Sequence, residues 1–234
     1  MGRTGDLLRI KLKSVGKLRL SEKDDCGKAL TPDQERRILA EARKSKSSAI
    51  YPAVVLALNT GMRDSEMRHL TWRQADFFKQ ILVVGKSKTK EGTGRTIPIN
   101  TELLRVLAEY RAWYAANVGS PAPHRYVFPW SRSRRYDPTR PMVTFKTAWT
   151  NIRERSGVHI RLHDLRHTLI TKLAESGAGD ETIMAIAGHV SRRMLSRYAH
   201  IRTEAKRRAL EAVATRPVSI PEPGQVSTLA TMVQ

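Results

Sequence analysis

Four side chains able to manage a phosphate recur at set offsets late in the chain. His163 and Arg166 lie in HDLRHT, His189 follows Gly188, and Tyr198 lies in RYAH. The offsets are three residues from His163 to Arg166, 23 more to His189 and nine more to Tyr198. Within one helical turn, His163 and Arg166 can face the same ligand. A phenol with a pKa near ~10 needs cations or a base beside it to act as a nucleophile. Phosphoryl transfer spreads negative charge over the non-bridging oxygens, and fixed guanidinium and imidazole donors stabilise that charge. The chemistry that fits this set is attack of the Tyr198 phenol on a phosphodiester. Taken singly, Tyr198 reads as a half-buried core tyrosine and His189 as a surface loop residue. An inward Arg166 is more demanding, because a buried guanidinium wants a carboxylate or a phosphate.

Zinc is the competing chemistry, since His159, His163 and His167 are spaced i, i+4, i+8. No glutamate sits where a zinc-protease helix requires one, and Gly157 and Arg161 interrupt a continuous helix. Arg161 and Arg166 would also place positive charge beside the ion. No metal is expected.

The elements that must hold these groups follow from periodicity and caps. Asp164 to Ser176 is predicted helical, with Leu165, Leu169, Ile170 and Leu173 as its apolar stripe and Gly177 as its stop. Asp180 is predicted to cap a short helix ending at Gly188, and Ser191 to cap the next. Upstream, Thr31-Pro32 with Gln34 forms a capping box that opens the first helix. The nearly all-apolar run 50–59 (IYPAVVLALN) predicts a central helix broken by Gly61. Arg63 therefore emerges from the end of a buried helix, a poor place for an incidental surface arginine.

Residues 81–84 and 95–99 read as two strands joined by the polar loop GKSKTKEGTG, a β-hairpin with a long tip. Thr101 is predicted to cap a long helix carrying Leu103, Leu104, Leu107, Tyr110 and Tyr114. Residues 119–141 read as a loop rich in Pro, Ser and Arg, and its run SRSRRYDPTR is a candidate backbone contact or a solvated loop. Phe145, Trp149 and Ile152 mark another helix ended by Gly157. Tyr198 is expected late in the helix capped by Ser191, and after it a helix rich in Lys, Arg and Ala is expected to run to about residue 215.

The assembled motifs make the chain similar to the tyrosine recombinases of the phage integrase family, whose marks are an H-x-x-R box, a later His or Trp, and a Tyr nine residues beyond it. The family's first arginine lies in T-G-x-R-x-x-E, and TGMRDSE at 60–66 supplies Arg63, with Glu66 implied to hold it in place. The resemblance spans residues 60–200 and is specific as a set. It implies that Tyr198 attacks the scissile phosphate, giving a 3′-phosphotyrosyl link and a free 5′ hydroxyl. Arg63, Arg166 and His189 would hold the transition-state phosphate, with His163 as general acid/base. A hairpin lysine would protonate the leaving oxygen. Counting back from Pro98 along K-x-G-x-x-R-x-[VI]-P selects Lys90, whereas counting forward from Arg63 favours Lys88; Lys86 is the third candidate. Lys90 is taken as the catalytic lysine. The ester conserves the bond energy, so no cofactor is implied. Implied partners are double-stranded DNA and further copies of the chain, as a tetramer on paired sites.

Composition agrees. Lys and Arg number 42 against 22 Asp and Glu, a net charge of +20, as expected of a chain that meets nucleic acid. With 40% hydrophobic residues a real core is affordable. A single cysteine, Cys26, excludes an intrachain disulfide and suits a reducing cytoplasm. No run approaches membrane-spanning length.

The expected fold is α+β, a mainly helical catalytic domain of the DNA breaking-rejoining type with a small antiparallel sheet, over residues 31–215. Residues 1–30 read as a basic linker or the remnant of an upstream DNA-binding domain, and 216–234 as a disordered tail. Thirty residues cannot hold the helical core-binding domain that usually precedes the catalytic one. A fragment, a truncated gene or a minimal variant is therefore expected. The activities to separate are a recombinase, a type IB topoisomerase-like enzyme, and a DNA-binding fragment that no longer turns over.

Lys90→Ala should slow DNA cleavage by on the order of 10²–10⁴, the scale of a lost general acid. A 5′-thiol leaving group, which needs no proton, should restore much of the rate, whereas Lys86→Ala and Lys88→Ala should mainly weaken binding. Thiol rescue of the Lys88 variant instead would transfer the role to Lys88.

Overall fold

The computed structural model describes residues 29–87, 92–133, 135–188, 195 and 199–214. Helix α1 (Pro32–Arg43) starts where its caps direct: the Gln34 N–H donates to Thr31 Oγ1 at 3.2 Å, and the Thr31 N–H to Gln34 Oε1 at 3.0 Å. Two orphan amides are thereby satisfied reciprocally. Helix α2 (Ile50–Thr60) follows, and Gly61, with φ 62°, closes it in the left-handed conformation. Helix α3 (Asp64–Arg68) is one short turn beyond.

A 3₁₀ turn (Trp72–Gln74) then leads into strands β1 (Ala75–Asp76), β2 (Ile81–Val83) and β3 (Thr96–Pro98), an antiparallel sheet in that order. Its register pairs Ile81 with Pro98, Leu82 with Ile97 and Val83 with Thr96. Both expected strands form, slightly shorter than their apolar runs, and β1 is an addition that a two-residue stretch, too short to show alternation, did not announce.

Helix α4 (Thr101–Asn117) carries Leu103, Leu107, Tyr110 and Tyr114 inward. Its cap is Asn100, not Thr101: the Leu103 N–H donates to Asn100 Oδ1 at 2.9 Å. Either side chain can cap, and the chain enters the helix one residue earlier. The segment read as a loop contains strands β4 (Pro129–Arg132) and β5 (Arg135–Pro141), a hairpin with a register shift beside Pro129. Its prolines and arginines hide a strand pattern; aromatic contacts hold it. The Tyr136 ring meets Trp113 edge-on at 5.7 Å, and the Arg140 guanidinium sits over Trp130 at 5.2 Å.

Helix α5 (Lys146–Ser156) ends at Gly157, as expected. Helices α6 (Asp164–Glu175), α7 (Asp180–Ala187) and α8 (Ala199–Val213) complete the described elements. Gly179, not Asp180, occupies the cap position of α7, and Asp180 serves in the first turn, where its charge faces the positive end of the helix. Residues 1–28 and 215–234, and with them all of the expected linker (1–30) but Ala29 and Leu30 and the whole of the expected tail, lie outside the described residues, as does the Ser191 cap. Buried Leu30 belongs to the packed domain and not to a linker.

The fold is thus α+β and mainly helical, with two small antiparallel sheets among the described residues. At its centre, α2 buries nearly every side chain, as a helix apolar all round must. It lies against α1, α4 and α6. Trp72, Tyr110, Tyr114, Phe128 and Phe145 form an aromatic cluster beside it, with Trp72 and Tyr114 meeting edge-on at 5.3 Å. Leu30 belongs to the same core, and its N–H donates to Thr168 Oγ1 on α6 at 3.0 Å. No helix among the described residues is long and apolar enough to cross a membrane.

Leu56 has 0% exposure, whereas Phe78 has 96%. Leu56→Ala should therefore cost roughly 2–5 kcal/mol through lost contacts and a residual cavity. Phe78→Ser should change stability by no more than about 0.5 kcal/mol. Urea unfolding of the two variants beside the parent chain checks the contrast.

Candidate active site

The site begins where α2 stops. A side chain on Gly61 would be strained at its positive φ, and its Cβ would come within 3.2 Å of Leu169 and 3.6 Å of Arg166. Glycine here lets α6 and α7 approach the end of α2. The chain then turns outward through buried Met62, and Arg63 becomes the residue that opens α3.

Glu66, one turn on, organises what surrounds Arg63. Its side chain is fully buried. The Arg63 Nη1 donates to Oε1 at 2.9 Å and the Arg63 backbone N–H to Oε2 at 2.9 Å. From the hairpin loop after β2, Ser87 Oγ donates to Oε1 at 2.5 Å. Arg95, just before β3, adds a two-pronged contact, Nη1 to Oε1 at 3.2 Å and Nη2 to Oε2 at 2.8 Å. Burial by itself would raise the Glu66 carboxyl, but hydrogen bonds from Arg95, Ser87 and the Arg63 backbone outweigh it. They bring its pKa down to about 2. The carboxylate is charged at any working pH and holds Arg63 in one orientation.

Arg166 arrives from the first turn of α6. It is buried, and its Nη1 donates to the Gly61 carbonyl at 2.8 Å and to the Ala187 carbonyl. Burial pushes its pKa down, and the positive charges of Arg63 and Arg95 push it further, to about 10 against the pull of Glu66. The guanidinium stays charged at neutral pH. Its charge and that of Arg63 repel across the site, so an anion between them would relieve both.

His163 stands just before α6. Partial burial first, then the charge of Arg166, pushes its imidazole below the usual histidine range. It is therefore neutral near pH 7 and able to accept a proton. The His167 ring meets it edge-on at 5.4 Å and is likewise shifted down, by burial and then by His163. His159 is exposed and precedes the start of α6 at Asp164, so the three histidines do not share one helical face.

The structure thus brings Arg63, Arg166 and His163 into one electrostatic neighbourhood with Glu66. Lys90, the alternative Lys88, His189 and Tyr198 lie outside the described residues; Lys86 is described and exposed. Two contributors were given no role by the sequence, although Arg95 fills the arginine of the K-x-G-x-x-R-x-[VI]-P pattern. Ser87 carries no signal beyond its place in the hairpin. Arg95 does: it stands two residues before buried Ile97, on the inward face of an alternating segment, where an arginine needs a partner.

The chain belongs to the phage integrase family: that family's profile matches residues 28–205. It is 28% identical over 178 residues to the integrase of Salmonella phage P22, covering 74% of this chain and 43% of that protein. To a shufflon-specific DNA recombinase of Escherichia coli it is 30% identical over 209 residues, covering 86% of this chain and 48% of the other. Tyrosine recombinase XerA of Pyrococcus horikoshii is 29% identical over 187 residues, 79% of this chain and 60% of that protein. The chain therefore spans about half the length of the curated relatives it matches. Among solved structures, the Tn1549 transposon integrase in complex with transposon right end DNA aligns with a TM-score of 0.62 at 23% identity, over 84% of this chain and 69% of that one. The catalytic domain of bacteriophage HP1 integrase aligns with a TM-score of 0.55 at 24% identity, over 82% of this chain and 97% of that one. These share the fold.

Glu66 makes the site sensitive to acid. Its folded pKa of about 2 lies below the ordinary 4.5, so its stabilisation is complete above pH 4.5 and is lost as pH falls toward 2. The size is on the order of 3 kcal/mol. Stability measured by urea unfolding from pH 6 to pH 2.5 should fall steeply in the parent chain. Glu66→Gln should be less stable at pH 6 and lose less over the same interval.

Proposed function

We propose that this chain is the catalytic part of a site-specific DNA recombinase that breaks and rejoins strands through a 3′-phosphotyrosyl intermediate. The observation that carries this reading is the convergence of Arg63 and Arg166 on one site, from the ends of α2 and α6, with Glu66 orienting the first. Two preorganised guanidiniums suit a phosphate whose negative charge grows during displacement. Tyr198 supplies the nucleophile, and His163 the proton exchange that frees the phenolate. His189 joins the phosphate-holding set, and Lys90 protonates the 5′ leaving oxygen. These roles come from the motif match, and the family membership and the names of the relatives support them.

The expected substrate is double-stranded DNA, consistent with the net charge of +20. Recombination joins two sites, so several copies, a tetramer on paired sites, would act together. Side-chain cations take the place of a metal in stabilising the transferring phosphate.

Tyr198→Phe removes only the phenol oxygen. Its affinity for duplex DNA should match the parent within about twofold, while the covalent protein–DNA band on a nicked suicide substrate should vanish. Chelator should leave the parent reaction intact. An adduct from the phenylalanine variant, or cleavage stopped by chelator, would overturn the assignment. Supercoil relaxation without strand exchange between two sites would instead indicate a topoisomerase-like activity.

A further inference from the structure

The Arg95 side chain touches three segments, each of which carries or adjoins a residue assigned a role above. Its Nη1 and Nη2 bind both oxygens of Glu66, the carboxylate that orients Arg63. Its Nη1 also donates to the Gly92 carbonyl at 2.8 Å, in the hairpin loop two residues after Lys90. Its Nε donates to the Ile186 carbonyl at 3.1 Å, in the last turn of α7. Gly188, the next-door neighbour of His189 in sequence, lies directly against it: a Cβ there would be 3.2 Å from Nη1 and 3.3 Å from both Cζ and Nε. The guanidinium is nearly all buried, with 5% of the side chain exposed.

We propose that Arg95 is a positioning residue that sets the α3, hairpin and α7 segments at one fixed separation. This inference rests on the function proposed above. The planar fork is what the task requires. Two nitrogens grip a carboxylate in a fixed plane, while the Nε edge points to a carbonyl on another element. An ammonium is a point donor on a flexible stem and cannot hold the plane and the edge together. The close approach of Gly188 gives the guanidinium a lid, so α7 is seated on Arg95 by shape as well as by the Ile186 bond. Arg95 does not reach the phosphate itself in this scheme; it acts through Glu66 and through the backbone of the two loops.

Arg95→Lys keeps the buried charge beside Glu66 and should fold. In the double variant Glu66→Gln/Arg95→Met both buried charges leave together, which avoids an orphaned ion. Three quantities are read on the full chain: single-turnover adduct formation on nicked duplex, affinity for the same duplex, and amide hydrogen exchange resolved along the sequence. For Arg95→Lys, affinity should stay within about twofold of the parent while adduct formation slows by about 10- to 100-fold, the scale of a small misplacement of reacting groups. Exchange should quicken at residues 184–188 and 92–94 and stay at parent values in α2 and α4; the double variant should show the same local pattern. A parent-like adduct rate with unchanged exchange at 184–188 would overturn the proposal. So would faster exchange spread evenly through α2 and α4, which would mark a merely structural role. If the parent chain itself forms no adduct, the proposed function fails, and the local exchange pattern alone decides whether Arg95 couples the three segments.

Discussion

A carboxylate removed from water must be paired, and both oxygens of Glu66 accept hydrogen bonds, from Arg63, Ser87 and Arg95. Breaking one partner of such a cluster leaves a charge in a low-dielectric site, which is far costlier than the net worth of the intact pair. That asymmetry lets a short helix and two loops hold a defined geometry. Helix α3 has only five residues and little stability of its own. Arg63, Ser87 and Arg95 all direct donors at Glu66, so the end of α2 and both sides of the β2–β3 hairpin loop share one constraint.

That constraint rests on a rigid floor. Helix α2 is buried along its whole length, and the residues that leave it are the first of the site. Gly61 serves two needs at once: it permits the left-handed turn that ends α2, and its carbonyl receives Arg166 while its missing side chain admits α6 and α7. The core thus places two arginines far apart in sequence without a long flexible arm between either of them and the packed interior. Side chains held this way lose little entropy on meeting a ligand, the condition for preorganised electrostatics.

The electrostatic balance of the site also follows from burial. Arg166 is pushed down by desolvation and by neighbouring cations, yet only to about 10, so it keeps its charge. His163 is pushed down from a value already near neutrality and so becomes a neutral imidazole. The same surroundings therefore yield a permanent cation and a proton acceptor side by side.

Much of this was legible in the linear sequence. The capping box at Thr31, the all-apolar run 50–59, the glycine stops at 61 and 157, and the α6 stripe each depend on neighbours within a few residues. Local sterics and hydrogen bonding settle such features. The motif spacings singled out Arg63, His163 and Arg166, which the fold brings into one electrostatic neighbourhood, and the T-G-x-R-x-x-E pattern tied Glu66 to Arg63. The hairpin at 129–141 was not legible, because its strands are held by Trp113 and by stacking within the hairpin, and not by an alternating apolar pattern. The role of Arg95 was less legible still. Its three partners lie at Glu66, Gly92 and Ile186, and only the folded chain brings α3, the hairpin and α7 to the two ends of one guanidinium. Spacing along a chain records which residues share a turn; which buried charge meets which partner is decided by packing, because desolvation leaves an ion no partner except those the tertiary fold delivers.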